Sequence, residues 1–243
     1  LIAGVIQPPA KAPSGFRRRA KKKGEKMSRN LKVLGLALVA ALALTALVGS
    51  TAQANENGKF TAASYTSTGS GIDTGTHEFT AAGGSVKCSH ATFSGTSSAA
   101  STTQTITPVY EECTAFGFVG ATVTMNGCDY LFHLTGTGAG GSYNGNVDLV
   151  CPENKEVTID AGPCTIHIPG QTGLGPVSFT NGTSGGLSDI TNHANVNNIE
   201  GTLVKNNFLC FFTAGPFTGG KYTGTTTITG KNSEGKPQSI DIG

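Results

Sequence analysis

The sequence predicts an all-β protein, an antiparallel β-sandwich of the Ig-like or jelly-roll type stapled by disulfides and preceded by an N-terminal signal helix. Three observations carry this expectation. Between Ala121 and Gly170 apolar residues alternate with Thr, Asp and His, the period of a half-buried strand. Turn signals rich in Gly recur about every 8 to 12 residues, the rhythm of a sandwich or barrel. No apolar stripe at helical spacing survives for three turns, which argues against a parallel α/β sheet.

The central stretch fixes a register. Cys128, Tyr130, Phe132 and Leu134 alternate with polar residues, and Val147, Leu149 and Cys151 repeat the pattern after a Gly-rich gap. If Cys128 faces Cys151, partner numbers sum to 279, which sets Tyr130 opposite Leu149 and Phe132 opposite Val147 on one face.

Residues 1–26 lack periodicity, carry a basic cluster and precede the first methionine, Met27. They are read as a translated leader or non-native extension; Lys23 to Lys26 back-translates to a purine-rich run like a ribosome-binding site. From Met27 the order is that of a signal peptide. Arg29 and Lys32 are followed by an apolar run from Val33 to Val48 and then by small residues ending Ala52, Gln53, Ala54, so cleavage is expected after Ala54. A retained transmembrane anchor is the alternative, but the run is shorter than the about 20 residues that span a bilayer. Residues 55–243 are then a single secreted β-domain, expected to be released or held noncovalently with no stable membrane anchor after cleavage.

Within that domain short strands are expected at Phe60 to Thr66, Thr76 to Thr80, Ser85 to Cys88, Thr92 to Ser94 and Thr102 to Val109, with Pro108 at an edge or bend. Later strands are expected at Glu156 to Asp160, Cys164 to Ile168, Val177 to Thr180, Ile199 to Val204, Phe208 to Thr213, Lys221 to Thr229 and Ser239 to Ile242. Val123 to Gly136 echoes Val157 to Gly170, each with a Cys, then a His, then a Gly. Two strands under similar constraints produce such an echo without duplication.

Charge restricts the partners. Nine of the seventeen basic residues lie between Lys11 and Arg29, whereas residues 55–243 hold seven lysines, no arginine and fourteen carboxylates, a net charge of −7. Such a chain has no patch to track phosphates, so nucleic-acid binding and docking to acidic membranes are both disfavoured.

Six cysteines in an exported chain read as three disulfides, since the compartment is oxidising and the count is even. Of fifteen possible connectivities the favoured set is Cys88 with Cys113, Cys128 with Cys151, and Cys164 with Cys210; only the middle pair has a register argument. Zinc is the competing reading, but no two cysteines are closer than thirteen positions, Cys151 and Cys164. No metal and no cofactor are expected.

Candidates for chemistry each meet an objection. On strand parity His133 and His167 point away from the core and are read as solvated, with no motif beside them or beside His77, His90 and His193. Glu111 and Glu112 are adjacent, and neighbours on a strand face opposite ways, so they cannot share a scissile bond. Ser184 in GTSGG, with Asp189 and His193, follows the order of an α/β-hydrolase, but the stretch reads as a turn rather than a strand–helix elbow. Asn144 to Asp148 and Ser188 to Asn192 have oxygen ligands suited to calcium, with turn-forming Asx as the simpler reading. Trp is absent, which leaves Tyr65, Tyr110, Tyr143 and Tyr222 as platforms for a sugar. No catalytic residue is assigned.

The cysteine contexts ECTAFG at Cys113, NGC at Cys128, VDLVCP at Cys151 and CTIHIPGQ at Cys164 resemble those of uncharacterised secreted proteins, Gly/Thr-rich and disulfide-bearing, that occur as many paralogues in high-GC soil actinobacteria. The resemblance covers roughly Ala63 to Gly230. It implies export and disulfides and carries no catalytic residue. The function expected first is a noncatalytic structural or interaction role at the cell surface or in the medium, toward an unknown protein or cell-envelope partner. A carbohydrate- or small-ligand-binding module comes second and an extracellular hydrolase third.

Overall fold

The structure is a computed structural model that describes residues 58–63, 67–73, 75–97 and 99–243. The leader, the signal segment with Ala52 and Ala54, and Tyr65 lie outside the described residues. The described strands are β1 (Phe60–Ala62), β2 (Ser67–Asp73), β3 (His77–Ala81), β4 (Gly84–Ser97), β5 (Thr103–Ala115), β6 (Val119–Thr124), β7 (Asp129–Thr137), β8 (Tyr143–Val150), β9 (Val157–Ala161), β10 (Cys164–Ile168), β11 (Gln171–Ser184), β12 (Leu187–Lys205), β13 (Gly215–Lys231), β14 (Pro237–Gln238) and β15 (Ile240–Ile242).

Several of these are halves of one longer stave. Both β2 and β3 run antiparallel to β4, with Ile72 opposite Thr92 and His77 opposite Cys88. In the same way β6 and β7 lie in line against β5, β8 and β9 against β7 and β6, and β10 and β11 against β9 and β8. Eight staves result, β2/β3, β4, β5, β6/β7, β8/β9, β10/β11, β12 and β13, each bonded to its neighbour in sequence. The last stave returns to the first through Thr226 opposite Asp73 and Tyr222 opposite Phe79. This is an up-and-down antiparallel barrel, which corrects the expected sandwich. A sandwich needs crossovers between two sheets, whereas here every connection between staves joins hydrogen-bonded neighbours. The expected rhythm of turns counted interruptions within staves together with reversals between them.

Alternation then sorts side chains into two walls. Phe79, Val86, Val147, Leu149, Ile159, Val177, Phe179 and Val196 are buried, while β12 turns His193, Asn195, Glu200 and Thr202 to solvent. An apolar inside and a polar outside is the reverse of a barrel immersed in lipid. The predicted register is present, with Tyr130 opposite Leu149 and Phe132 opposite Val147. Disulfides join Cys88 to Cys113, Cys128 to Cys151 and Cys164 to Cys210.

Local details follow from the staves. Pro108 is fully buried and lies opposite Phe93 of β4, at a point where β5 has left β7 at Ile106 and not yet reached β6 at Cys113, so on that second side its missing N–H costs no pairing. Glu111 and Glu112 do not face opposite ways: Glu112 has φ of 52°, the strand is locally kinked, and both are exposed. Phe208 to Thr213 is not a strand but the middle of the connection between β12 and β13. The echo of Val123 to Gly136 in Val157 to Gly170 spans unlike elements, an interrupted stave and a hairpin.

The two barrel ends differ. At one, β1 pairs with β15 and lays Phe60, Ile240 and Ile242 over the interior, fastened by the Asn181 amide, which donates to the Ile242 carbonyl at 2.8 Å and accepts from its N–H at 2.8 Å. At the other, the connections 82–83, 116–118, 162–163 and 206–214 converge, with Phe116 stacked on Phe212 at 4.6 Å.

Candidate functional site

All eight staves contribute to the interior. β3 supplies His77 and Phe79, β4 Val86, β5 Tyr110, β6/β7 Val123, Tyr130 and Phe132, β8/β9 Val147 and Leu149, β10/β11 Ile168 and Leu174, β12 Ala194 and Val196, and β13 Tyr222; together they enclose a cavity of about 90 Å³. Voids of about 30 Å³ and 50 Å³ continue it toward the β1–β15 end, separated by shared side chains, Phe132 above all. An eight-stranded barrel has room either to be filled by side chains or to hold one small ligand.

Four polar side chains stand in this apolar space. His77, only 2% exposed, bonds through Nδ1 to the Tyr222 hydroxyl at 2.7 Å. The Tyr110 hydroxyl donates to Tyr222 at 2.9 Å and lies 2.9 Å from that of Tyr130. Each phenol has one proton, so with Tyr110 donating to Tyr222 it is Tyr130 that donates to Tyr110, while the imidazole tautomer sets the direction of the Tyr222–His77 bond. Gly224 makes the space, since a β-carbon there would collide with the His77 ring. A fifth polar group is less well served. Asn192, 6% exposed, lines the void of about 30 Å³ beside His77 and Tyr222, and its Nδ2 has no hydrogen-bond partner. A buried amide donor left in this way is costly unless something else in the site accepts from it.

Burial sets the chemistry of the phenols. Loss of solvation raises all three above the ordinary value of 10.0, helped at Tyr110 by its two neighbouring phenols and at Tyr222 by Tyr130. They hold their protons, which suits them to donate hydrogen bonds and not to act as bases.

The other candidates are dispersed. His133 meets Asp148 at 2.9 Å and His167 meets Glu156 at 2.6 Å, both on the outer wall as parity predicts, but paired with carboxylates rather than simply solvated. Glu111 lies 3.6 Å from His90, while Glu112 accepts from Ser89 at 2.8 Å. Ser184 closes a hairpin opposite Leu187, and His193 lies opposite Ser178, six steps or roughly 20 Å along the strand, so no triad forms. Asp148 of the proposed calcium stretch is occupied by His133 and by the Gly173 N–H at 2.6 Å, and among the described residues no group of three potential ligands gathers. Tyr110 and Tyr222 are not sugar platforms; both are inside. Sequence reasoning missed His77, although its shared parity with Phe79 was the available signal.

Comparison with protein-family models, with curated proteins and with solved structures finds no match to this chain.

Proposed function

We propose that this protein is an exported, noncatalytic carrier for a small, neutral, mainly apolar molecule bearing one oxygen, a carbonyl or a hydroxyl, held inside the barrel. The observation that carries the reading is the unpartnered Asn192 amide in the void of about 30 Å³, where it stands beside His77, Tyr222 and Thr226 among apolar side chains and next to the apolar main cavity. Few convergent polar groups in an apolar enclosure are what orient a small ligand. Neutrality follows from electrostatics: no lysine or arginine lines these voids, and a carboxylate buried without a cation is strongly disfavoured. An elongated shape suits the line of voids, which share Phe132 as a wall. Three intramolecular disulfides support an oxidising compartment, hence export. The raised phenols favour binding over catalysis.

Titration calorimetry with 1-decanol, 2-decanone and decanoate tests this. The two neutral probes bind and decanoate binds far more weakly, while Asn192→Leu and Tyr222→Phe each weaken the neutral probe about tenfold. Absence of binding by all three probes, or affinities unchanged by both substitutions, contradicts the proposal.

A further inference from the structure

The barrel end opposite β1 and β15 carries an unusual surface. Phe118 is 84% exposed, Phe208 87% and Phe211 86%, with Leu209 half exposed between the last two. These side chains are held rather than loose. Cys210, between Leu209 and Phe211, is buried and bonded to Cys164 at the start of β10. Asn206 ties the same connection to its neighbour, its N–H donating to the Pro163 carbonyl at 2.9 Å and its amide to the Gly162 carbonyl at 2.9 Å. Phe212 turns inward and stacks on Phe116, which fastens the connection bearing Phe118 to the one bearing Phe208 and Phe211. Sequence and disulfide together therefore present three phenylalanines to solvent from one end of a rigid barrel.

Charge defines what they meet. The four connections at this end, 82–83, 116–118, 162–163 and 206–214, contain no Asp, Glu, Lys or Arg, and the strand residues beside them add only Asp160, Lys205 and Lys221. A charged protein surface or an anionic membrane meets no charged cluster here, only scattered single charges at the rim. The rings also project singly, each almost wholly surrounded by solvent, instead of lying flat. Projecting apolar knobs need a preformed hole in a protein partner, but a fluid interface closes around them wherever they enter.

We propose that this end docks reversibly on an uncharged lipid surface, with Phe118, Phe208 and Phe211 inserted at the level of the headgroups. The inference stands whether or not the interior is occupied. It is compatible with the net charge of −7 of residues 55–243, because attachment through neutral aromatic tips does not draw on electrostatic attraction.

The barrel closes on itself with all three disulfides inside the compact unit Gln53–Gly243, so the test uses the chain from Asn55 with its disulfides formed. Co-sedimentation with phosphatidylcholine vesicles is the readout, at low salt and at high salt. The parent chain sediments with the vesicles equally at both. Replacing one ring, Phe211→Ser, weakens partitioning about tenfold, and the triple change Phe118→Ser, Phe208→Ser, Phe211→Ser weakens it ~100-fold or more. The melting temperature barely moves, since the altered groups are exposed. The proposal is overturned if the parent stays in the supernatant, if the triple variant partitions as well as the parent, or if binding requires phosphatidylglycerol and disappears with salt. It is equally overturned if sedimentation velocity shows the parent to be a dimer that the triple variant cannot form, which would give the surface to a second copy of the chain.

Discussion

His77 and His167 each make one short hydrogen bond through Nδ1, 2.7 Å to a phenol and 2.6 Å to a carboxylate, yet they stand on opposite sides of the same wall. His167 is partly exposed and its partner Glu156 more so, and water can replace either group if the pair breaks. His77 is sealed among Phe93, Tyr110 and Tyr222 at ring separations of 5.3 to 5.9 Å, where no solvent stands ready. The inner wall thus chains His77 and the three phenols together, and on the outer wall the His133–Asp148 and His167–Glu156 pairs stand where water can replace either partner. An interior so arranged responds sharply to lost partners, and an exterior does not.

The inner wall should break first at its staple. Replacing Cys128 and Cys151 by Ser removes a cross-strand bond closing a segment with sequence separation 23, and the chain-entropy relation gives about 3.5 kcal/mol for such a loop, within a measured scatter of about 0 to 5. Denaturant unfolding should show a loss of that order. Tyr222→Phe comes next. It removes the middle link, leaving Tyr110 without its acceptor and breaking the bond to His77 Nδ1, at a cost of about 1 to 3 kcal/mol.

Alkali acts on the inner wall through its phenols. The three phenols have folded-state values above the unfolded 10.0, so they favour folding fully at lower pH, and that contribution is lost as pH rises from about 10 through the folded values. Absorbance at phenolate wavelengths should therefore appear from Tyr110, Tyr130 and Tyr222 together with unfolding, not before it. Stepwise ionisation of these three in a still-folded barrel would contradict their burial. The smallest effect belongs outside: His133→Ala loses a partly exposed pair with Asp148, and equilibrium unfolding should register under about 1 kcal/mol.

The sequence made the strands and one register legible because alternation is local. Cys128, Tyr130 and Phe132 declare their face by spacing alone, and the partner run in Val147, Leu149 and Cys151 is only one hairpin away. Closure was not legible. Asn126 and Gly127, with φ of 53° and 83°, have the chemistry of a tight hairpin turn, yet the chain continues from β6 into β7 in the same direction; Gly185 and Gly186, with φ of 60° and 81°, do reverse it. The same backbone chemistry serves an interruption and a hairpin, and only the distant pairing of β13 with β2 and β3 decides which. The interior chain was hidden for the same reason. Tyr110 and Tyr222 lie 112 residues apart, and nothing nearby in sequence distinguishes an aromatic aimed into a closed barrel from one on a surface.

Magnetisation transfer from a neutral lipophile to methyl groups tests most directly whether the barrel interior receives such a molecule. With methyl-labelled chain and 2-decanone, intermolecular contacts should appear at the inward methyls of Val147, Leu149, Val157, Ile159 and Val196, which line the cavity. They should weaken in Asn192→Leu. Contacts confined to the exposed Val109 and Val150, with the inward methyls silent, would show the interior closed to the probe and the account of this barrel as a carrier wrong.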